Sequence, residues 1–411
     1  MILYKEKKDC SGCGACANIC PKNAISMDED EYGFVYPSVD QTKCIQCGAC
    51  IKVCDLKKNE KAENLLSKCF WAVRKDNEKL LKSTSGGVFS TLAEKILNDG
   101  GSVFGCTAER QEKGFRIYHR MVDDITDMDL LRGSKYVQSD AQVCYGEIKK
   151  LLQQGKRVLF CGTPCQVAGL KNFLLKEYEN LFTIDLICHG TPNQKFFNSF
   201  ISFLEEKGHI NITQFNFRKK YKNRDTNTFF YLDLNLKSGK HKKIFCKLAS
   251  YYGLFLKGDI YRDSCYQCKY ACPNRVGDIT LGDGWGIEKL HPEYLDTQGG
   301  KIQSIYGCNS MMVNTVKGQM LLELMKNEVI LYESCYEEIS KHNHQLVAPS
   351  ECSPLREQIL TAYKKDGYRG VDQLYFSKMN RKEYIKYKYY FTLKQAISPK
   401  FIKKLKSLKN K

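Results

Sequence analysis

Residues 10–21 read CSGCGACANICP, and residues 44–54 read CIQCGACIKVC. Both segments carry the spacing Cys-x2-Cys-x2-Cys-x3-Cys, and the second lies 34 residues after the first. This spacing is typical of two [4Fe–4S] clusters in which the last cysteine of each segment ligates the other cluster. It predicts one cluster on Cys10, Cys13, Cys16 and Cys54, and a second on Cys44, Cys47, Cys50 and Cys20.

Zinc is the alternative for these cysteines, but zinc sites prefer Cys-x2-4-Cys pairs separated by a longer gap. Two copies of one four-cysteine segment favour iron–sulfur clusters. Gly12, Gly14 and Gly48 suit the tight loops around a cluster, because glycine adopts positive φ without strain. The chain is therefore expected to carry electrons.

The composition is that of a globular protein, with 43% hydrophobic and 27% charged residues in 411. This length predicts two or three domains. No apolar run approaches the ~20 residues that span a bilayer. The first cysteine segment begins too early to leave room for a signal peptide. The 21 cysteines then indicate a reducing compartment, and we expect a cytoplasmic protein.

The net charge of +18 is concentrated at the end of the chain. From Met379 onward there are eleven Lys and Arg residues and one acid, Glu383. Such a tail is a solvated basic end, or it contacts an anionic membrane surface or an acidic partner. Nucleic acid is a third candidate, which nothing else in the chain supports.

The order of patterns predicts an α/β protein, α+β overall. Residues 1–58 form a small ferredoxin-like unit with two clusters, followed by a polar linker over Lys57–Lys68. Residues 69–310 alternate helices and strands, which predicts a helix-flanked, mixed or parallel sheet. Residues 311–411 are expected to be a helical extension with the basic tail. The individual predictions are helices at 85–97, 141–154 and 166–176, strands at 102–105, 157–160, 182–187 and 278–282, and a hairpin over 229–245.

A second group of cysteines follows the predicted strands. Cys165 and Cys188 each come just after a strand, and ligands in open α/β sheets bind beyond the carboxyl ends of strands. Cys165 also begins a helix, where the dipole favours a thiolate. With Cys265 and Cys268 these residues would complete a four-thiolate site. The alternatives are small buried apolar cysteines for the first two and a zinc knuckle for the last two.

Several motifs then occur in order: SGGVF at 85–89, RGSKYVQS at 132–139, CGTPCQ at 161–166, DLICHG at 185–190, and SCYQCKY followed by DITLGDGWG. With the two cysteine segments, they make the chain resemble the coenzyme F420 hydrogenase/dehydrogenase beta-subunit family, in the form with a fused two-cluster domain. The resemblance covers roughly residues 1–310. It implies a flavin-binding iron–sulfur domain with an additional cluster in its second half. The resemblance does not imply that this chain uses the family's deazaflavin coenzyme as its substrate.

Four departures from the family pattern stand out. Asp55 follows the fourth cysteine of its segment, where proline is common. Gly284 replaces an expected aromatic residue, which predicts a more open pocket wall. Cys161 and Cys272 are additional cysteines, and either could replace a ligand of the third cluster.

Candidate flavin residues lie in two of these motifs. Ser85, Gly86 and Gly87 open a helix, so their backbone N–H groups could face a pyrophosphate. Arg132 and Lys135 would add cations for the phosphates, and Tyr136 could stack near a ring. The plain alternative for Ser85–Gly87 is an ordinary helix cap. No strand-linked G-x-G-x-x-G occurs, which argues against a dinucleotide Rossmann domain.

The resulting hypothesis is an FAD-dependent iron–sulfur oxidoreductase that receives electrons from a soluble ferredoxin and acts on an unidentified substrate or carrier. His189 is a candidate proton donor, with a structural hydrogen-bonding role as its alternative. A rival hypothesis is a non-catalytic, polyferredoxin-like subunit that feeds a partner enzyme. A second rival is a basic nucleic-acid-binding protein with structural clusters.

Overall fold

The computed structural model describes residues 3–54, 68–222 and 230–391. Asp55, nearly all of the predicted linker 57–68, Phe229 and the basic tail beyond 391 lie outside these residues. Within them, no helix is both long enough and apolar enough to cross a membrane.

The N-terminal unit consists of two short helices and one hairpin. Its elements are α1 (Ala15–Ile19), β1 (Ile25–Glu29), β2 (Val35–Val39) and α2 (Ala49–Lys52). Gly14 precedes α1 with φ +74°, and Gly48 precedes α2 with φ +76°. A side chain at either position would strain this left-handed backbone, so each cysteine segment needs glycine where its helix begins.

The rest of the chain folds around an eight-stranded sheet. The strands of this region are β3 (Lys68–Arg74), β4 (Ser102–Arg110), β5 (Phe115–Val122), β6 (Val158–Gly162), β7 (Leu181–Leu186), β8 (Ile212–Asn216), β9 (Tyr231–Leu236), β10 (His241–Phe245), β11 (Ile279–Asp283), β12 (Asn309–Val313) and β13 (Val329–Ser334). The helices are α3 (Asn77–Leu81), α4 (Val88–Asn98), α5 (Tyr145–Gln153), α6 (Pro164–Leu174), α7 (Gln194–Gly208), α8 (Ser250–Lys257), α9 (Ile287–Leu290), α10 (Val316–Met325), α11 (Tyr336–His342), α12 (Leu355–Ser377) and α13 (Arg381–Ile385).

The large sheet has the order β13-β3-β12-β11-β7-β6-β4-β5. Its central strands β4, β6, β7 and β11 are parallel, while β5, β12 and β13 pair antiparallel with their neighbours. The predicted α/β class is confirmed. Because the central strands are parallel, β6, β7 and β11 end at the same edge of the sheet, and loops that carry candidate ligands begin there.

Helices cover both faces of the sheet. One face packs Leu92 and Ile96 of α4 and Leu321 of α10 against strand residues such as Leu159. On the opposite face, α5 and α6 pack against other residues of the same strands. Ile148 of α5 belongs to this buried cluster. Apolar burial on both faces is what near-continuous apolar strands predict.

The sheet extends past the predicted domain boundary at residue 310. β12 and β13 lie on either side of β3, so the sheet continues to Ser334, with α10 between its last two strands, and the predicted helical extension does not begin at residue 311. The pattern after residue 310 did not show this because β12 pairs with a strand more than 230 residues earlier in the chain. Helices follow β13, and α12 packs through Tyr368 and Tyr375 onto an aromatic core around α7 and α8.

The predicted helix at 85–97 begins three residues late, at Val88. Gly87 has φ +81° and precedes the first turn, so Ser85–Gly87 form a lead-in segment. The predicted hairpin over 229–245 is present as β9 and β10, and a third strand, β8, pairs with β9.

Candidate redox site

The N-terminal cysteines surround two cavities. Cys10, Cys13, Cys16 and Cys54 line the first, which we call the proximal cavity. Cys20, Cys44, Cys47 and Cys50 line the second, the distal cavity, and Cys50 also borders the proximal one. The structure therefore brings Cys54 to the first segment and Cys20 to the second. This is the exchange of fourth ligands on which the two-cluster assignment depends.

The thiols of the proximal cavity disfavour one another's ionisation. Burial, opposed by a backbone hydrogen bond from Ala15 and reinforced by the nearby Cys10, Cys165 and Cys54, raises the pKa of Cys13 to about 12. The pKa of Cys16 is raised by burial and then by Cys13, Cys10 and Cys54. Such thiols become ligands when a cation stabilises their thiolates, as iron does. Across the described ranges, no three His, Cys, Asp or Glu side chains converge closely enough to hold a single metal ion.

Four further cysteines come together at the carboxyl edge of the sheet. Cys165 lies in the first turn of α6, Cys188 follows β7, and Cys265 and Cys268 lie in and just after a 3-10 helix over Asp263–Gln267. Burial raises the pKa of Cys188 well above its ordinary value, and Cys265, Cys165 and Cys268 raise it further. We call these four residues the inner set. The structure thus places all four predicted ligands in one cluster of thiols.

Helix α6 joins the inner set to the proximal cavity. A Cβ added at Gly169 would lie 2.9 Å from Cys13 Cβ and 3.1 Å from Cys13 Sγ, so this face of α6 contacts the N-terminal unit directly. Tyr270, two residues after Cys268, also lines the proximal cavity. The distal cavity is lined by the exposed Cys47 and by Ile45, which is 57% exposed.

The helix dipole does not make Cys165 acidic. Burial raises its pKa, although a hydrogen bond with Thr163, at 3.2 Å between oxygen and sulfur, and the charge of Arg262 act in the opposite direction. The two additional cysteines have other environments. Cys161 packs on the far face of β6, against the core that α4 covers. The thiol of Cys272 donates to the carbonyl oxygens of Lys269 and Asn274.

The segment Ser85–Gly87 lies against the same edge of the sheet. Ser85 Oγ donates to the carbonyl oxygen of Cys308 at 2.7 Å. A Cβ at Gly86 would lie 2.3 Å from the Ala72 carbonyl oxygen, so this position requires glycine. Asn309 Oδ1 accepts from the N–H of Val88 at 3.3 Å, which uses one of the donors at the start of α4.

The two cations predicted for phosphate already have partners in the protein. Arg132 forms an ion pair with the buried carboxylate of Glu94 at 2.7 Å and with Asp129. Lys135 Nζ donates to the carbonyl oxygens of Cys106, Arg132 and Leu130, and burial lowers its pKa. Both side chains stabilise the fold around Glu94 and β4.

Tyr136 likewise belongs to an aromatic cluster. Its ring stacks on Phe255 with 4.3 Å between ring centroids, and it also contacts Phe217 and Tyr252. Its backbone carbonyl accepts from the hydroxyl of Tyr251. This ring is therefore packed by the protein, and Arg218 hydrogen-bonds with the Tyr136 hydroxyl.

Two basic residues outside the predicted flavin motifs lie near Ser85. Lys220 Nζ donates to the carbonyl oxygen of Ser85, and burial, followed by the charge of Arg218, lowers the Lys220 pKa to about 7. Arg218 forms an ion pair with Asp283 at the end of β11, and its guanidinium lies over the rings of Phe230 and Trp285. The run FRKKYK at 217–222 was the available signal, but charged runs are usually solvated.

His189 and Gly284 border this group. His189 is an exposed residue, and desolvation of its ring lowers its pKa, against the opposing charge of Asp283. A lowered pKa favours the neutral ring, which accepts a proton more readily than it donates one. Because Gly284 replaces an aromatic residue, the sequence predicted an open pocket wall at this position. That prediction is wrong. A Cβ there would lie 2.3 Å from Cys308 Sγ, so Cys308 fills the space.

Family models match both halves of this arrangement. Residues 155–338 match the model that describes the C terminus of the coenzyme F420 hydrogenase/dehydrogenase beta subunit, and this range contains the whole inner set. Residues 9–57 match the 4Fe-4S dicluster domain, which contains both N-terminal cysteine segments. The family inferred from the motifs is confirmed. The chain is an iron–sulfur electron-transfer protein related to the F420 hydrogenase beta subunit, with a dicluster domain at its N-terminus.

No curated protein matches the chain. Among solved structures, it is similar to a chain of the F420-reducing [NiFe] hydrogenase complex from Methanosarcina barkeri, determined as a xenon derivative. The identity is 15%, the match covers 76% of this chain and 91% of the other, and the TM-score is 0.42.

Proposed function

We propose that the chain is a flavin-dependent iron–sulfur oxidoreductase in which the inner set holds a third [4Fe–4S] cluster between the dicluster domain and an FAD pocket. The observation that carries the proposal is the position of the inner set. It lies at the carboxyl edge of the parallel strands and, through Gly169 and Cys13, against the proximal cavity.

The donor set of the inner site fits a cluster. The four inner-set residues are all cysteines that influence one another electrostatically, and four thiolates are the usual ligands of a [4Fe–4S] cluster. Burial raises the pKa of Cys265 to about 11 and that of Cys268 to about 12. Because burial disfavours free thiolates here, a bound cationic group is needed to stabilise them. The partly exposed rim at the distal cavity is the proposed contact for a soluble ferredoxin or another redox partner.

The residues around Ser85 fit the anionic part of a flavin. Lys220 is 6% exposed, and the Arg218 side chain is also 6% exposed. Only Asp283 forms an ion pair with either within the described parts of the chain. Asp283 balances the charge of Arg218, so the protonated form of Lys220 leaves a net positive charge, which a phosphate would neutralise. A bound flavin would supply the exchange between one-electron and two-electron chemistry.

The chain's own residues would set up this pocket. Asp283 fixes the orientation of Arg218, Asn309 holds the first N–H of α4, and Gly86 permits the close approach of its segment to β3. His189, whose lowered pKa favours the neutral ring, would accept a proton from substrate at a ring nitrogen.

FAD binding tests the enzymatic part of the proposal. Anaerobically purified protein is titrated with FAD and followed by quenching of flavin fluorescence. Lys220→Met removes the buried cation, and we expect at least about tenfold weaker binding, since a hydrogen bond to a charged group is worth roughly 1.5–3 kcal/mol. Lys219→Met is the matched control, because Lys219 is exposed, and its affinity should equal that of the wild type.

The same titration distinguishes the flavin proposal from the rival hypothesis of a non-catalytic subunit. Wild-type protein that binds no FAD after full reconstitution of its clusters contradicts the flavin proposal, and the chain is then a non-catalytic electron-transfer subunit. Equal weakening by the two lysine variants would contradict the placement of the pocket beside Ser85.

A further inference from the structure

Arg262 lies between the two cysteine groups. Its guanidinium contacts the loop of the first cysteine segment, where Nε donates to the carbonyl oxygen of Cys10 at 2.7 Å. A Cβ added at Gly12 would lie 2.9 Å from Arg262 Nη1. On the other side, the backbone carbonyl of Arg262 accepts from the N–H of Cys265, an inner-set residue. One residue therefore touches both groups.

This arginine is buried and has no anionic partner among the described residues. It is 1% exposed, and its guanidinium donates to three neutral oxygens, those of Cys10, Val35 and the Gln138 side chain. The guanidinium also lies over the Tyr36 ring, 4.1 Å from its centroid, and this partner carries no charge either.

Other buried arginines of this chain do have carboxylate partners. Arg74 pairs with Glu94 at 2.5 Å, and Arg275 pairs with Asp185 at 3.3 Å. The carboxylate next to Arg262 in sequence, Asp263, pairs instead with Arg356.

An unpaired buried charge is costly unless something anionic compensates it. A [4Fe–4S] cluster on four thiolates carries net negative charge, and its reduction adds one more. A cation fixed beside it, in surroundings of low dielectric constant, stabilises the reduced form. Hydrogen bonds and charges near the sulfurs are among the factors that set cluster potentials.

We propose that Arg262 is a positioning residue whose buried charge raises the reduction potentials of the proximal cluster and of the inner cluster together. Its effect on the inner cluster rests on the proposed function, whereas its effect on the proximal cluster requires only the dicluster domain. A single cation that acts on both clusters would shift their two potentials in the same direction.

The test is a redox titration followed by electron paramagnetic resonance on the full chain. In Arg262→Gln, we expect the ratio of reduced to oxidised proximal cluster at a fixed potential to fall at least about tenfold, which is 59 mV for a one-electron couple. Arg262→Lys keeps the charge. In this variant the logarithm of the ratio of reduced to oxidised cluster should fall by less than half as much. Equal falls in both variants, or no fall in Arg262→Gln, would overturn the proposal.

A second pair of variants leaves Arg262 in place. Gln138→Glu puts a carboxylate beside the guanidinium, because Gln138 Oε1 is 3.4 Å from Arg262 Nη1, and should lower the potential as Arg262→Gln does. Gln138→Met loses the same amide contacts without adding charge and should match the wild type. This pair decides the question if Arg262→Gln does not fold. A shift confined to the dicluster signals of a chain with eight irons supports the role of Arg262 and contradicts the third cluster.

Discussion

Replacing Gly169 by alanine tests the contact between α6 and the N-terminal unit. The new Cβ would lie 2.9 Å from Cys13 Cβ, 3.1 Å from Cys13 Sγ and 2.9 Å from the Tyr145 hydroxyl. Contacts below 3.0 Å force a shift, and Cys13 is held in place by its loop. Tyr145 is fully buried and donates to the Gln166 carbonyl, so it cannot easily move.

Two effects of opposite sign decide the outcome. Alanine is favoured over glycine inside a helix by about 1 kcal/mol. Overpacking a filled site costs about 1–3 kcal/mol. We therefore expect Gly169→Ala to lower the free energy of unfolding by up to about 2 kcal/mol. Because the displaced atoms belong to a ligand, the proximal cluster should also be lost or bound with lower occupancy.

Gly146→Ala is the matched control. Gly146 also lies in a helix, α5, but a Cβ there would meet nothing within 4 Å. This variant should keep its full iron content, and its free energy of unfolding should rise by up to about 1 kcal/mol. The assays are denaturant unfolding and the iron and sulfide content after anaerobic reconstitution. If Gly169→Ala retains full iron and matches Gly146→Ala in stability, α6 does not press on Cys13, and the proposed proximity of the two cysteine groups is refuted.

Two further predictions concern buried charges. Glu94→Gln should cost about 3–5 kcal/mol of unfolding free energy at neutral pH, because it leaves Arg74 buried without its carboxylate. Although burial opposes it, hydrogen bonds from Arg74 and Lys79 lower the Glu94 pKa from 4.5 to about 2, so in denaturant melts the deficit should be full above pH 4.5 and shrink toward pH 2. A pH-independent deficit would contradict this. FAD affinity should fall as the pH rises through about 7, where Lys220, facing Arg218, Asp283 and Cys308, loses its proton. Lys220→Arg should remove that dependence in the same fluorescence titration, and an unchanged pH profile would show that Lys220 is not the titrating group.

Local patterns in the sequence predicted most of the fold and the N-terminal site. The eight cysteines of the dicluster domain are set by short spacings, and glycines 14 and 48 mark the helices that follow the loops. The strands that end before Cys165 and Cys188 were also predictable, because buried parallel strands appear as continuous apolar runs. These features depend on residues close together in the chain.

The features that could not be predicted depend on contacts between distant residues. Lys220 meets Ser85 across 135 positions, and Arg262 meets Cys10 across 252, so no local pattern indicates either contact. Arg132 and Lys135 were expected to bind phosphate because their motif is basic. Their partners, Glu94 for Arg132 and the carbonyl oxygen of Cys106 for Lys135, lie on other elements of the fold. The two cations therefore interact within the protein and not with a phosphate.

The most direct test of a third cluster is the anaerobic iron and sulfide content of the full chain, compared with Cys265→Ser. Three four-iron clusters predict about twelve irons and twelve sulfides per wild-type chain, and about eight of each in the variant, with the dicluster signals unchanged. Eight irons in the wild type, or an unchanged content in the variant, would contradict the assignment of a cluster to Cys165, Cys188, Cys265 and Cys268.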